Sequence, residues 1–248
     1  VGESRLRVVD RGVEKEYAMT EAEWMACTDS GPMLEFLRGK ASDRKLRLFA
    51  VACCRRVWHL MTDERSRRAV EVVERHADGL AGSADLERAF DQAHLALADA
   101  GDPPAEAVAW AVAWASDGHA WLAAKNATGW GVAAAWDMDI PARNERLVVQ
   151  LAGALYEAGC ETALLCDIFG PLPFRPVTID PSVLAWNAPL VPRLAQAIYD
   201  KRRWGDMPIL GDALLDAGCD NDEVVAHCRA EGRHVRGCWV VDLLLGKE

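Results

Sequence analysis

Between Ser42 and Met61 the chain reads SDRKLRLFAVACCRRVWHLM, and Leu46, Phe49, Cys53, Val57, Leu60 and Met61 recur at three- and four-residue steps. That period fits one face of an α-helix and no strand, whose side chains alternate every second residue. Arg44, Lys45, Arg47, Arg55 and Arg56 are expected largely outside the apolar stripe. Ser42 or Asp43 offers the side-chain oxygen that an exposed helix N-terminus needs. A second helix restarts from Thr62 or Asp63 and stops at Gly79, so the two are neighbours across a very short link.

The same punctuation runs along the rest of the chain. Thr20 and Glu23 are spaced as a capping box, each satisfying the other's backbone donor. From Ser83 to about Trp136 the chain is rich in Ala, divided by Gly101-Asp102-Pro103-Pro104. Residues 143–159 predict a helix ending at Gly159. Residues 169–192, FGPLPFRPVTIDPSVLAWNAPLVP, hold six of the eleven prolines and predict an ordered loop or linker, because each Pro removes a backbone donor. Helical patterns then resume to the end. Only RLRVV near the start reads as a strand.

The expected fold class is therefore all-α: packed helical hairpins in an irregular array, with a Pro-rich loop before a smaller C-terminal helical segment. Residues 1–18 read as an extension outside a domain that begins at Met19. Residues 19–170 form the helical domain, 171–192 the linker, and 193–248 a C-terminal segment packed on the first.

A chain of 248 residues with 51% apolar and 27% charged residues is globular in composition, and no apolar run approaches about eighteen residues. The start lacks the apolar stretch of a secretory signal. Eight cysteines placed within helical apolar patterns then read as reduced thiols of a cytoplasmic protein. The net charge of −10 argues against a general nucleic-acid binder. The charge is uneven: residues 38–75 hold eleven Lys/Arg against five Asp/Glu, and residues 76–172 hold four against fourteen. Such a split suits an acidic partner for the first block, a salt-bridged contact between the blocks, or a solvated helix face.

Two clusters could carry chemistry. Near the end, Cys219, Cys228, His234 and Cys238 are spaced C-x8-C-x5-H-x3-C. This resembles the CCCH zinc-finger family with the last two ligand types exchanged, and the resemblance implies zinc and single-stranded RNA. Thiolate and imidazole suit tetrahedral zinc, provided that sulfur and nitrogen atoms converge within about 4 Å. The intervening DNDEVVAH is acidic and helix-forming, with no aromatic to stack on a base. His227 and Cys228 point about 100° apart on a helix, so only one of them can face a given ion. The echo of ALYEAGC (154–160) in ALLDAGC (213–219) reads each Gly-Cys as a left-handed helix stop with a thiol folded back over it. On that reading the cysteines are structural and no cofactor is called for, zinc being the alternative.

In CCRRVWH the helix pattern explains Cys53 as core, and the alternative is that Arg55 and Arg56 lower the pKa of Cys54 and make it reactive. Trp110, Trp114 and Trp121 would share one stripe on a continuous helix, either as core among the alanines or as a groove. There is no G-x-S-x-G elbow, phosphate loop, H-E-x-x-H pair or dinucleotide glycine run.

The stretches FGPLPFRPVTIDPSVLAWN and HVRGCWVVDLLLGKE, with the opening MTEAEWMACTDSGPMLEFLRGKASDRKLRLFAVACCRRVW, resemble a large paralogous family of uncharacterised proteins from planctomycete bacteria. The resemblance spans nearly all of residues 19–248. It implies a bacterial cytosolic protein and no particular activity. Members with Leu in place of Cys228 weaken a zinc site built on that thiol. The leading expectation is a non-catalytic protein-interaction or scaffolding module binding through Arg44, Lys45, Arg47, Arg55 and Arg56. The alternatives are a zinc-stabilised nucleic-acid binder and an enzyme of unrecognised type.

Overall fold

The structure, a computed structural model, describes residues 7–10, 15–100, 103–128 and 160–247. Helices carry the fold, as the periodicity requires. A two-stranded antiparallel hairpin, β1 (Arg7–Asp10) and β2 (Lys15–Ala18), precedes them, pairing Val8 with Tyr17 and Val9 with Glu16. The chain divides into two compact units, residues 1–165 and 166–248, and the division falls inside one helix.

In the first unit the helices are α1 (Glu21–Met25), α2 (Ser30–Leu37), α3 (Asp43–Arg56), α4 (Glu64–Ala77), α5 (Ser83–Ala98), α6 (Pro103–Ala115) and α7 (Ala120–Asn126). The expected caps are in place. Thr20 and Glu23 close the capping box on α1, Ser42 Oγ accepts from Lys45 N, and Asp63 accepts from Arg65 N. Helix α3 lies against α4, α6 and α7 at once, and it is buried continuously from Lys45 to Cys54.

That enclosure corrects the expected single stripe. Lys45 and Arg47 are buried too, because neighbours cover α3 on several sides. The Arg47 guanidinium donates to the carbonyls of Asp117 and Gly118, which the turn between α6 and α7 leaves without helical partners. The tryptophans are corrected as well. The helix stops between Trp114 and Trp121, so no continuous stripe forms. Trp110 and Trp114 stack half-buried with centroids 6.2 Å apart, while alanines such as Ala111, Ala115, Ala123 and Ala124 fill the tight interior. Trp130, Trp136 and the helix expected over 143–159 lie outside the described residues.

Helix α8 (Cys160–Phe169) leads into the second unit, followed by α9 (Pro181–Ala185), α10 (Leu190–Lys201), α11 (Met207–Asp216), α12 (Asp222–Arg229) and α13 (Trp239–Leu245). Helix α10 packs on α11 and α13, and α11 packs on α12. Ile198, Leu210, Leu214, Val224, Trp239 and Val241 are central to the core. The Pro-rich segment is ordered within this unit: Asp180 caps α9, Pro181 starts it, and Val177 and Val183 enter the same core. The Gly-Cys stop is confirmed at the end of α11. Gly218 has φ +82°, its N–H bonds Leu215 O, and Cys219 N–H bonds Leu214 O, with the thiol buried. Cys160 instead opens α8, and Gly159 before it lies outside the described residues.

Among the described residues no helix is long and apolar enough to cross a membrane.

Candidate metal centre

Three parts of the second unit converge on one buried point. Asp167 comes from α8, where it interrupts the apolar run Leu164-Leu165-Cys166-Asp167-Ile168-Phe169. His227 comes from the last turn of α12, a helix started by Asn221, whose Oδ1 accepts from the N–H groups of Glu223 and Val224. His234 and Cys238 flank the turn that leads into α13, with Cys238 as its N-cap.

Val224 and Cys228, four apart on α12, both face the core and are fully buried. The 100° step of the helix then turns His227, not Cys228, toward Asp167.

The distances are short. Asp167 Oδ1 lies 2.7 Å from His234 Nδ1 and 3.2 Å from His227 Nε2. Cys238 Sγ lies 3.2 Å from His227 Nε2 and 3.9 Å from His234 Nδ1. The four residues' ligand atoms all fall within 4.8 Å of one another. Asp167, His234 and Cys238 are buried, and His227 keeps 18% side-chain exposure. An aspartate, two imidazoles and a thiol at these separations are a donor set that can hold a metal ion.

The sequence placed His234 and Cys238 in such a set, and the structure brings those two together. Cys219 and Cys228 stand outside the group. Cys219 is committed to its helix stop, and Cys228 points into the core beside Gly211, whose hydrogen faces Cys228 Cβ. Asp167 and His227 complete the group in their place. The signal for Asp167 was a carboxylate inside an apolar helix run, a placement that is costly without partners.

Electrostatics fit a site poised between protons and a cation. Burial pushes the Asp167 carboxyl up, but hydrogen bonds from His227 and His234, and the charge those rings carry when protonated, outweigh it and hold the group below the usual carboxylate range. Its other oxygen, Oδ2, accepts from Val235 N–H at 2.9 Å. Burial, and then the negative charge of Asp167, push the Cys238 thiol well above its ordinary value. Burial with Cys219 and Asp167 nearby takes Cys228 up to about 12. A cation among these groups would reverse the sign for Cys238 and favour its thiolate.

Packing supports the centre from behind. Gly170 ends α8 with φ +49°, and the ring of Trp239 lies so close that a Cβ at residue 170 would sit 2.6 Å from its Cδ1. The same indole donates through Nε1–H to Nδ1 of His227 at 3.1 Å.

The expected basic face is largely used inside the first unit. Arg44 pairs with Asp78, Arg55 with the buried Glu74, and Arg47 with two carbonyls, while Lys45 is buried. Arg56 is half-buried at the end of α3. Arg44–Asp78 and Arg65–Asp99 are salt bridges between the basic and acidic blocks, which the charge split allowed. Burial takes the Cys54 thiol up to about 12 although Arg55 pulls it down, so the reactive alternative fails and Cys54 is an inert core residue.

Comparison with protein-family models, with curated proteins and with solved structures finds no match for this chain.

Proposed function

We propose that the chain is a non-catalytic interaction or scaffolding module whose C-terminal unit closes around a zinc ion. One observation carries the metal: Asp167, His227, His234 and Cys238 present four donors to a single buried point. Zinc with its ordinary bond lengths spaces tetrahedral nitrogen and oxygen donors about 3.3 Å apart, and nitrogen and sulfur about 3.6 Å apart. The four separations of 2.7, 3.2, 3.2 and 3.9 Å bracket those values, and the largest adjustment among them is about 0.6 Å. One thiolate, two imidazoles and one carboxylate favour zinc over calcium or magnesium, which take oxygen sets.

The non-catalytic reading follows from closure. Catalytic zinc keeps a position open for water or substrate, whereas four protein donors with three of them buried fill the tetrahedron. Nucleic acid is not favoured, since residues 166–248 hold twelve acidic residues against nine basic ones and offer no cationic footprint. A protein partner remains the reading for the module as a whole.

Elemental analysis of protein purified without chelator tests the metal. About one equivalent of zinc per chain is expected, falling in Cys238→Ser and His234→Ala. Cobalt substitution should give thiolate charge-transfer absorption that disappears in Cys238→Ser. Less than about a tenth of an equivalent in the wild type, with no cobalt spectrum, ends the reading.

A further inference from the structure

A histidine that binds metal through one ring nitrogen normally carries its proton on the other and donates it to an acceptor. Here the remote nitrogen of His227, Nδ1, faces the indole N–H of Trp239 at 3.1 Å. Indole nitrogen only donates, so this contact requires Nδ1 to accept. The ring proton then belongs on Nε2, the atom that faces Asp167 Oδ1 and Cys238 Sγ, each at 3.2 Å. Asp167 in that state accepts from His227 Nε2–H, His234 Nδ1–H and Val235 N–H, a satisfied cluster in its own right. His234 lacks the usual outer acceptor as well: its Nε2 is buried with no hydrogen-bond partner.

We infer that Trp239 is a tautomer-setting residue, whose indole N–H on His227 holds down the centre's affinity for zinc and makes the ion exchangeable. The inference rests on the metal reading above. When zinc takes Nε2, the ring proton moves to Nδ1 and meets the indole hydrogen head-on. The Trp239–His227 bond is therefore lost on loading, and its worth is subtracted from the binding of the ion. Trp239 cannot turn away freely, because its ring is buried against Gly170. The unit's hydrophobic core shares only Cys238 with the four donors, so the unit is expected to stay folded while the ion comes and goes.

The test compares wild type with Trp239→Phe, which removes the N–H and keeps an aromatic ring. Zinc affinity is measured at one pH by competition with a chromophoric chelator. About tenfold tighter binding is expected in the folded variant, the worth of one hydrogen bond. Equal or weaker binding in a folded variant overturns the inference. Nitrogen-15 spectra of the wild type decide the matter should the variant not fold. The expected result is the Nε2–H tautomer of His227 in chelator-treated protein, with the proton on Nδ1 and a shifted Trp239 indole signal after zinc is added. A proton on Nδ1 before zinc is added, or an indole signal that saturating zinc leaves in place, overturns it. Zinc bound by Trp239→Phe but not by wild type sinks the metal reading of the native chain while supporting the role of Trp239. Zinc bound by neither removes both.

Discussion

Asp167 Oδ1 stands 2.7 Å from His234 Nδ1, although 67 residues separate them. The same carboxylate takes a second histidine and a backbone N–H from the turn before α13. A buried charge so placed ties the start of the C-terminal unit to its last helix. Its removal leaves donors buried without a counter-charge, and that is the larger part of the cost.

Asp167→Asn is therefore expected to lower unfolding stability by about 2–4 kcal/mol at neutral pH, read by urea titration. The pH profile has a defined sign. The folded carboxyl sits below its unfolded value of about 3.9, so its contribution is present above that pH. The contribution disappears as the pH falls through the lower folded value. Chelator-treated wild type should lose stability steeply below about pH 4, and chelator-treated Asp167→Asn should lack that part of the slope. Parallel profiles would mean that Asp167 is not held by this cluster.

Helix existence was legible because local rules act within a few residues. Thr20, Ser42, Asp63 and Gly218 each do what their neighbours in sequence require. The candidate donors were half legible for the opposite reason. His234 and Cys238 are four apart, and their spacing drew attention, but Asp167 enters from another helix through packing that no local period encodes. On α12 spacing alone completes a ligand pattern with Cys228, while the helix turns that thiol to the core, as the structural reading of the cysteines expects, and presents His227. Lys45 and Arg47 show the same limit, since charge predicts exposure only until a helix is enclosed on several sides.

Gly170 and Gly218 both adopt positive φ, yet they differ in surroundings. At Gly218 a Cβ meets nothing within 4 Å, so Ala there should cost only the left-handed backbone, about 1–2 kcal/mol. At Gly170 a Cβ meets three Trp239 ring atoms at 2.6–2.7 Å. Gly170→Ala adds that overlap and is expected to cost a further 1–3 kcal/mol or so, while weakening the Trp239–His227 contact. Thermal denaturation of the two variants checks it. A cost at Gly170 no greater than at Gly218 would show that the indole yields without resistance.

Arg47 and Arg68 separate a structural cation from a surface one. Arg68 pairs with Glu64 across one turn of α4, and both side chains are more than 60% exposed. Such a pair is screened by water and side-chain entropy, so Arg68→Ala should change stability by less than about 0.5 kcal/mol. Arg47 is buried and serves two carbonyls at the α6–α7 turn, one at 2.7 Å. Arg47→Ala strips both acceptors of their donor and empties the space its buried side chain fills, and should cost about 1–3 kcal/mol, since water reaches the exposed Gly118 end of the turn. Arg47→Lys should recover only part, because an ammonium cannot reproduce the two-pronged guanidinium contact. Arg55 carries a related warning for any search for a docking face on α3. Its reversal to Glu sets a like charge against the buried Glu74 carboxylate 2.7 Å from the present guanidinium. A partner lost on Arg55→Glu therefore counts as a docking contact only when circular dichroism and the unfolding midpoint match wild type, and a lowered midpoint assigns the loss to the fold.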